Sequence, residues 1–542
     1  MKTIKYLMLS CCVFAAGCDN FLVENPQTSV MQEGIYNSIN SADAVLNGCY
    51  STMEGYDGYA FNYFHVLNVS SGMGVSIKSN DVNLTTMNIL PSDVNVTAAY
   101  TGMYRTIMVA NDIIEGMKNS TIEDGLDKKR IQGEAYFIRA VTYFNLVRLF
   151  GKVSLVTEPI KDYTNSQKPR EEVETVYGQI LSDLEQAWNL LPEKADQAAG
   201  RPYRYVAKAV RAKVYLTMAG DMTADQTDYW QKCYNDAFDV YHNGGYQLVR
   251  PYSMLYGSEN KNNAESIFEI QFSSAVNSGR LTETTFPVGH ELMSKIPTAG
   301  KSWGKTRPSQ RAFDQFDKDD PRREVSFVYG TYNNIYESGN KKKVMLYPSV
   351  KNDGNGTYKQ GDSEYAAWKK YYDTSMTAQG SSANFVYMRF ADVVLILAEA
   401  ANELAEHRSE AVGYLNEILT RAADANGNGV RDAEETVPAD VDASMSPEDL
   451  REKIFRERLK EFTGECDEWY TIRRRGESYL KKIMQEHNDR IDQLYGNSEL
   501  PKFVYKYNIT DDNVKKNMLM PFPQDEITRN ENISQEEQNF GY

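Results

Sequence analysis

The residues whose spacing is most suggestive of chemistry run from Asp424 to Glu435, D-A-N-G-N-G-V-R-D-A-E-E. Oxygen-bearing side chains fall at the first, third, fifth, ninth and twelfth positions, namely Asp424, Asn426, Asn428, Asp432 and Glu435. Gly429, in sixth place, permits a sharp turn, and Val430 would offer its carbonyl in seventh. Hard oxygens so spaced can wrap one Ca2+, so the expected metal is a structural calcium that ties the loop down. Arg431 departs from the aliphatic residue usual in eighth place. The alternative is an exposed Asn-Gly turn between helices.

Other patterns for catalysis are poor. Ala299 to Thr306, AGKSWGKT, satisfies a relaxed phosphate-loop string, but Pro297 and Pro308 flank it and no alternating parallel-sheet pattern surrounds it. His290-Glu291 is followed by Ser294 where a zinc protease needs histidine. The 75 acidic residues contain no pair that spacing singles out for glycoside hydrolysis. The expectation is that the chain is not an enzyme. A net charge of −16 argues against nucleic acid as a partner. The composition includes 37 tyrosines against 21 phenylalanines, and tyrosine suits partly wetted recognition surfaces as well as packing.

These residues need a scaffold, and 542 residues exceed what one hydrophobic core usually supports. Helical periodicity runs through Ala42–Met53, Val96–Met117, Gly133–Gly151, Val173–Leu191, Tyr203–Met218 and Tyr229–Tyr241. Several come as pairs with short connections, which suggests degenerate tetratricopeptide-like units in a solenoid. Tyr56 to Asn95 reads as irregular and aromatic-rich. From Ala264 to Phe385 short strand-like runs alternate with Gly/Asn/Lys turns, as in a loop-rich insertion lying on a helical frame. Helical pattern resumes at Phe385–Leu404, Ala411–Ala423 and Leu450–Arg475. Three of the six cysteines lie in the first 18 residues and the others are scattered, so no disulfide framework is expected.

At the N-terminus, Lys2 and Lys5 precede a short apolar run, Tyr6–Ala16, as in a signal peptide. Ala15-Ala16-Gly17-Cys18 resembles a lipobox, with Ala15 where leucine is commoner, so Cys18 is the expected lipidation site.

The segment GEAYFIRAVTYFNLVRLFG followed by SLVTEP resembles a hallmark of the SusD/RagB family of nutrient-binding outer-membrane lipoproteins. Similar hallmarks are FVYMRFADVVLILAEAANEL, LREKIFRERLKEFTGECDEWYTIRRRG and the closing MPFPQDEITRNENISQEEQNFGY, where Glu531 and Phe540 replace commoner prolines. Resemblance runs from Cys18 to Tyr542, strongly in the helices and weakly in the insertion. It implies a mainly α, SusD-like fold: a tetratricopeptide-like helical-pair scaffold with a loop-rich insertion containing short strands. The implied organisation is a leader over 1–17, a lipidated tether over 18–40 and a first helical part over 41–263 with an aromatic loop at 56–95. An irregular ligand-binding insertion would follow over 264–388, then a second helical part over 389–542. Arg389, Asp392 and Glu399 are expected in a buried ion network, with Glu457 and Arg458 facing inward and Trp469 packing.

The resemblance further implies capture of a nutrient, usually a glycan, outside the cell, and delivery to a SusC-like TonB-dependent transporter. Sugar rings offer apolar C–H faces to aromatic side chains. Trp303 is the first candidate, since its segment resembles the family's Trp-Gly turn ahead of Asp320-Pro321-Arg322. Tyr56, Tyr59, Tyr63, Tyr332, Tyr336, Trp368 and Tyr371 are the others. A peptide-capturing lipoprotein of the same fold and a surface glycosidase are the rival readings.

Overall fold

The computed structural model describes residues 32–160, 166–221, 226–276, 279–285, 304–333, 343–346, 363–364, 366–376, 380–497, 499–500 and 504–542. Helices form where the periodic runs require them. Those that build the scaffold are α1 (Ile39–Glu54), α2 (Asn62–Ser70), α3 (Val94–Lys118), α4 (Leu126–Phe150), α5 (Val173–Leu190), α6 (Arg204–Asp221) and α7 (Gln226–Asn243). They continue as α8 (Phe390–Glu403), α9 (Arg408–Ala423), α10 (Pro447–Glu461), α11 (Glu468–Arg473) and α12 (Glu477–Tyr495). Local chemistry sets their ends. The Asp93 carboxylate caps α3 by accepting from the Asn95 and Val96 amides at 2.9 and 3.1 Å. Ser446 caps α10, where Pro447 needs no hydrogen-bond partner. Gly151 stops α4 at φ +68°, a conformation that favours glycine.

Apart from α2, each helix from α1 to α9 packs on the next in sequence, and the order survives the long excursion: α7 lies on α8 although the whole insertion separates them in the chain. The array is therefore one solenoid of helical pairs, as the periodicity suggests. Its centre is α4, buried on almost every side from Ile131 to Phe150 and not only along one stripe. Arg139 of α4 pins three helices together. It donates to both oxygens of Asp183 on α5 at 2.8 and 2.7 Å and to Asn111 on α3 at 2.8 Å. Among the described residues no helix is long and apolar enough to cross a membrane.

The insertion is anchored by short antiparallel pairs. Strand β1 (Gly74–Ser76) pairs with β3 (Thr306–Pro308), and β2 (Ser266–Ile270) pairs with β6 (Phe385–Arg389), which leads straight into α8. Strands β4 (Phe327–Val328) and β5 (Ala367–Trp368) form a third pair. Thr306 thus ends its Gly-Lys-Thr string in a strand and not at a helix N-terminus, so the phosphate-loop geometry is absent there.

One expectation about the course of the chain fails. The segment from Tyr56 to Asn95 is not irregular throughout, because α2 lies inside it with all nine of its residues buried. A helix surrounded by protein shows no apolar stripe, and its Asn, His and Ser residues hid it from a periodicity reading.

Where β6 meets α8, buried charges join the insertion to the C-terminal helices. Arg389 contacts Glu265, Glu461 and Glu465 at 2.7, 2.6 and 3.0 Å. Arg421 pairs with Glu265 and Glu461, and Arg322 with Asp320, Glu457 and Glu461. Asp392 bonds Arg458 and Lys213, and Glu399 bonds Arg474 and Arg475. The three hallmark residues are thus structural, as expected. Burial opposes the charge on Glu399, yet Arg474 and Arg475 bring its carboxyl down to about 2.

Glu468, at the start of α11, behaves in the opposite way. Burial raises its carboxyl to about 7, although the Gly464 amide donates to it at 2.5 Å. The folded state therefore holds a proton that the unfolded chain releases near pH 4.5, and stability falls as pH rises from there through 7. Glu468→Gln should remove this dependence. By pH 8 the variant should be more stable than the parent by on the order of 3 kcal/mol, with the gap closing near pH 4.5, as read by urea unfolding.

Candidate functional site

The exposed aromatic corner begins where α1 ends. Beyond Glu54 the chain turns through Gly55, and the Asn62 amide donates back to the Tyr56 carbonyl at 2.9 Å, which fixes the turn into α2. Tyr56 is left 43% exposed, the most accessible of the expected ligand-binding aromatics whose side chains are described. Its ring stacks on Phe61 with centroids 4.6 Å apart, and Phe61 stacks on His65 at 5.2 Å. His65 is held in turn by Thr306 at 2.7 Å and Asp81 at 3.1 Å. Although burial opposes it, hydrogen bonds from His65 and Ser76 hold the Asp81 carboxyl below the usual range. The ring platform is therefore stiffened from beneath.

Charged groups surround this corner. The Arg280 guanidinium lies 5.6 Å from the Tyr56 ring centroid and contacts Glu283 at 3.1 Å. Lys305 lies 4.3 Å from the Phe61 centroid, and burial lowers its ammonium. The Gly304 amide donates to the Glu283 carbonyl at 2.9 Å, so the residue that follows Trp303 is held to this corner. Trp303 and Tyr336 lie outside the described residues. Tyr332 falls in a strand, Gly330–Asn333, described by its backbone alone.

The remaining aromatics are core. Tyr59 is 5% exposed and its hydroxyl accepts from Asn145 at 2.7 Å, while Tyr63 is 4% exposed and shares a 2.8 Å hydrogen bond with Tyr470. Trp368 has no exposed surface and packs between Phe327 and Gly464. The Tyr371 hydroxyl donates to the Gly464 carbonyl at 2.9 Å. None of these four rings has a free face for a sugar, which corrects the expectation for each. Sequence reasoning also passed over a polar concavity of about 230 Å3 between α1 and the β2 end, lined by Asn47, Tyr50, Glu54, Arg201 and Gln271. Its members come from three distant segments and share no motif.

The loop from Asp424 to Glu435 closes on itself. Asp424 accepts from the amides of Gly427, Asn428 and Gly429 at 2.6, 3.1 and 2.9 Å and meets Arg250 at 3.1 Å. Asn426 and Asn428 both donate to Asp432, and Glu435 accepts from the Ala425 and Asp432 amides. Val430 is exposed. Among the described residues no group of three or more His, Cys, Asp or Glu side chains is placed to hold a metal ion. Asp424→Ala would free three amides and one guanidinium. It should cost about 2 kcal/mol in chemical denaturation.

Cys18 and the leader lie outside the described residues, as do His290 and Glu291. Cys49, Cys233 and Cys466 are buried free thiols. At the aromatic corner the geometry offers an exposed ring and a guanidinium braced by the buried Glu283. These are parts for holding a polar ligand with apolar faces.

The scaffold and this corner define a class, a helical-repeat protein that presents an aromatic corner on its loops. Comparison with known proteins then gives the family. The model described as the SusD family matches residues 264–542, and one described as "Starch-binding associating with outer membrane" matches residues 20–216. The chain belongs to the SusD family. SusD-like protein P2 of Formosa agariphila is 26% identical over 557 residues, covering 98% of this chain and 99% of the relative. A SusD-like protein of Bacteroides ovatus is 26% identical over 476 residues, covering 85% of this chain and 80% of the relative. A solved SusD homologue from Bacteroides thetaiotaomicron superposes with a TM-score of 0.76 at 22% identity, covering 95% and 99% of the two chains. A structure described as a laminarin-binding SusD-like protein gives 0.68 at 22% identity, covering 93% and 99%.

Proposed function

We propose that this chain is a surface lipoprotein of the outer membrane that captures a glycan and delivers it to a SusC-like TonB-dependent transporter, without altering it chemically. The observation that carries the reading is the half-exposed Tyr56 ring, held by its stack on Phe61 and flanked by Arg280 and Glu283. A ring takes the C–H face of a sugar while a guanidinium, oriented here by the buried Glu283, bonds its hydroxyls. Family membership and the laminarin-binding neighbour support the ligand class. Trp303 is proposed as a second ring of the same site. Lipid on Cys18 would hold the chain at the membrane, since two or three acyl chains anchor stably where one does not.

Competition separates the rivals. The lipid-free chain, residues 19–542, is mixed with a labelled glucan and challenged with unlabelled glycans and peptide pools, and the recovered glucan is sized. Displacement by glycans with the glucan intact is the expected result. Displacement by peptides alone would replace the ligand class, and shortened glucan would make the protein a glycosidase. For the anchor, Cys18→Ala should release the protein from the outer-membrane fraction, and retention of the variant there would overturn lipidation.

A calcium in the Asp424–Glu435 loop is proposed in a structural role only, held by Asp424, Asn426, Asn428, the Val430 carbonyl, Asp432 and Glu435. Millimolar Ca2+ should raise the melting temperature of the parent and not of Asp432→Ala. An equal response, or none, would remove the ion.

A further inference from the structure

A cleft of about 460 Å3 lies between the short helix Gln310–Asp314, α10 and α12. Its wall carries five cations, Arg311, Lys453, Arg456, Lys460 and Arg490, against two carboxylates, Asp314 and Glu486. That excess stands out in a chain of net charge −16. Internal pairing does not use it up. Both oxygens of Glu486 are taken by Arg456, at 2.5 and 2.9 Å, and Asp314 by Arg490 at 2.6 Å. Arg311 reaches Glu486 only at 3.8 Å, and its Nη1 is buried with no hydrogen-bond partner among the described residues. Lys453 has no carboxylate within ion-pair distance among the described residues, and Lys460 meets only the exposed Asp317, at 3.5 Å.

A buried guanidinium nitrogen without an acceptor is costly unless something fills the role. Burial also lowers the Arg311 guanidinium to about 10, the mark of a cation short of counter-charge. We propose that this cleft binds the anionic group of an acidic saccharide, a sulfate ester or a uronate carboxylate, with Arg311 and Lys453 as its principal ligands. An oxyanion placed there gives Arg311 the acceptor it lacks, through charge-assisted bonds. The saccharide part rests on the glycan reading above, whereas the anion preference rests on this cleft alone. The site would add to the Tyr56 corner a preference for charge that stacking cannot supply.

The test titrates residues 19–542 with dextran, dextran sulfate of the same length and tri-galacturonate. Inorganic sulfate serves as competitor, at low and high salt. Dextran sulfate or tri-galacturonate should bind saturably at this site, and whichever arm binds names the anion. Affinity should fall by tenfold or more in Arg311→Gln and by about fivefold in Lys453→Gln, and should weaken with salt. Lys453 is only half-buried and lies outside the buried ion pairs, so its variant keeps the test usable if Arg311→Gln fails to fold. Absence of binding by every anionic probe would overturn the proposal, as would anion binding that both folded variants keep unchanged. Anion binding without any neutral-glycan binding would support this cleft while failing the uncharged-glycan reading.

Discussion

Arg389→Ala should destabilise the protein by about 4 kcal/mol, the range expected when one partner is removed from a buried ion cluster. Arg389 is 2% exposed and stands where β6 becomes α8. Its loss leaves Glu265, Glu461 and Glu465 facing one another with only Arg421, Arg322 and Lys370 to balance them. Burial opposes the charge on Glu461 and Glu465, yet Arg421, Arg389 and Arg322 together hold the Glu461 carboxyl far below its ordinary value, and Arg389 and Lys370 lower that of Glu465. The sign of the pH effect follows. Carboxylates with lowered values contribute stability above about pH 4.5 and lose it as pH falls through the folded value, so the parent should weaken in acid. In the variant those carboxylates protonate more readily. The difference between the two proteins should therefore shrink from pH 7 towards pH 4, as read by urea unfolding at each pH. A constant difference would mean that Arg389 acts by packing alone.

Trp368→Ala should also cost about 4 kcal/mol, because it empties a fully buried indole site. The opposite wall is the Gly464 turn, at φ +78°, where an added Cβ would lie 2.8 Å from the indole ring, so neighbouring backbone has little room to collapse. Tyr56→Ala, by contrast, removes a ring that is 43% exposed and should leave stability within about 0.5 kcal/mol. Thermal unfolding of the two variants together separates a core aromatic from a presented one. If Trp368→Ala unfolds with the parent, the ring is not a structural wedge.

Much of the scaffold was legible in the sequence. The run from Gly133 to Gly151 carries a helical period with a local physical cause, whereas the Arg-x-x-Asp entry into α8 and the inward Glu457-Arg458 pair were legible through the family resemblance, and all three are found where expected. The site was less legible because aromatic side chains read alike in a core and on a surface. Tyr56 and Tyr59 are three residues apart, yet the turn at Gly55 exposes one and the Asn145 amide claims the other. Trp368 sits in a stretch that reads as loop, but β4 and the Gly464 turn enclose it. The basic cleft left no trace in the sequence, since Arg311, Lys453 and Arg490 come from three separate helices. Glu468 hid for a related reason: burial raises its carboxyl, and burial is a property of the assembled fold.

The aromatic corner is tested as the capture site by calorimetric titration of residues 19–542 with neutral glucans, laminarin among them, beside the Tyr56→Ala and Trp303→Ala variants. The prediction is saturable binding by the parent. Each variant should lose tenfold or more in affinity while melting at the parent's temperature, which is about 1.4 kcal/mol or more per ring. No binding by the parent, or equal binding by parent and both variants, would contradict the aromatic corner as the capture site.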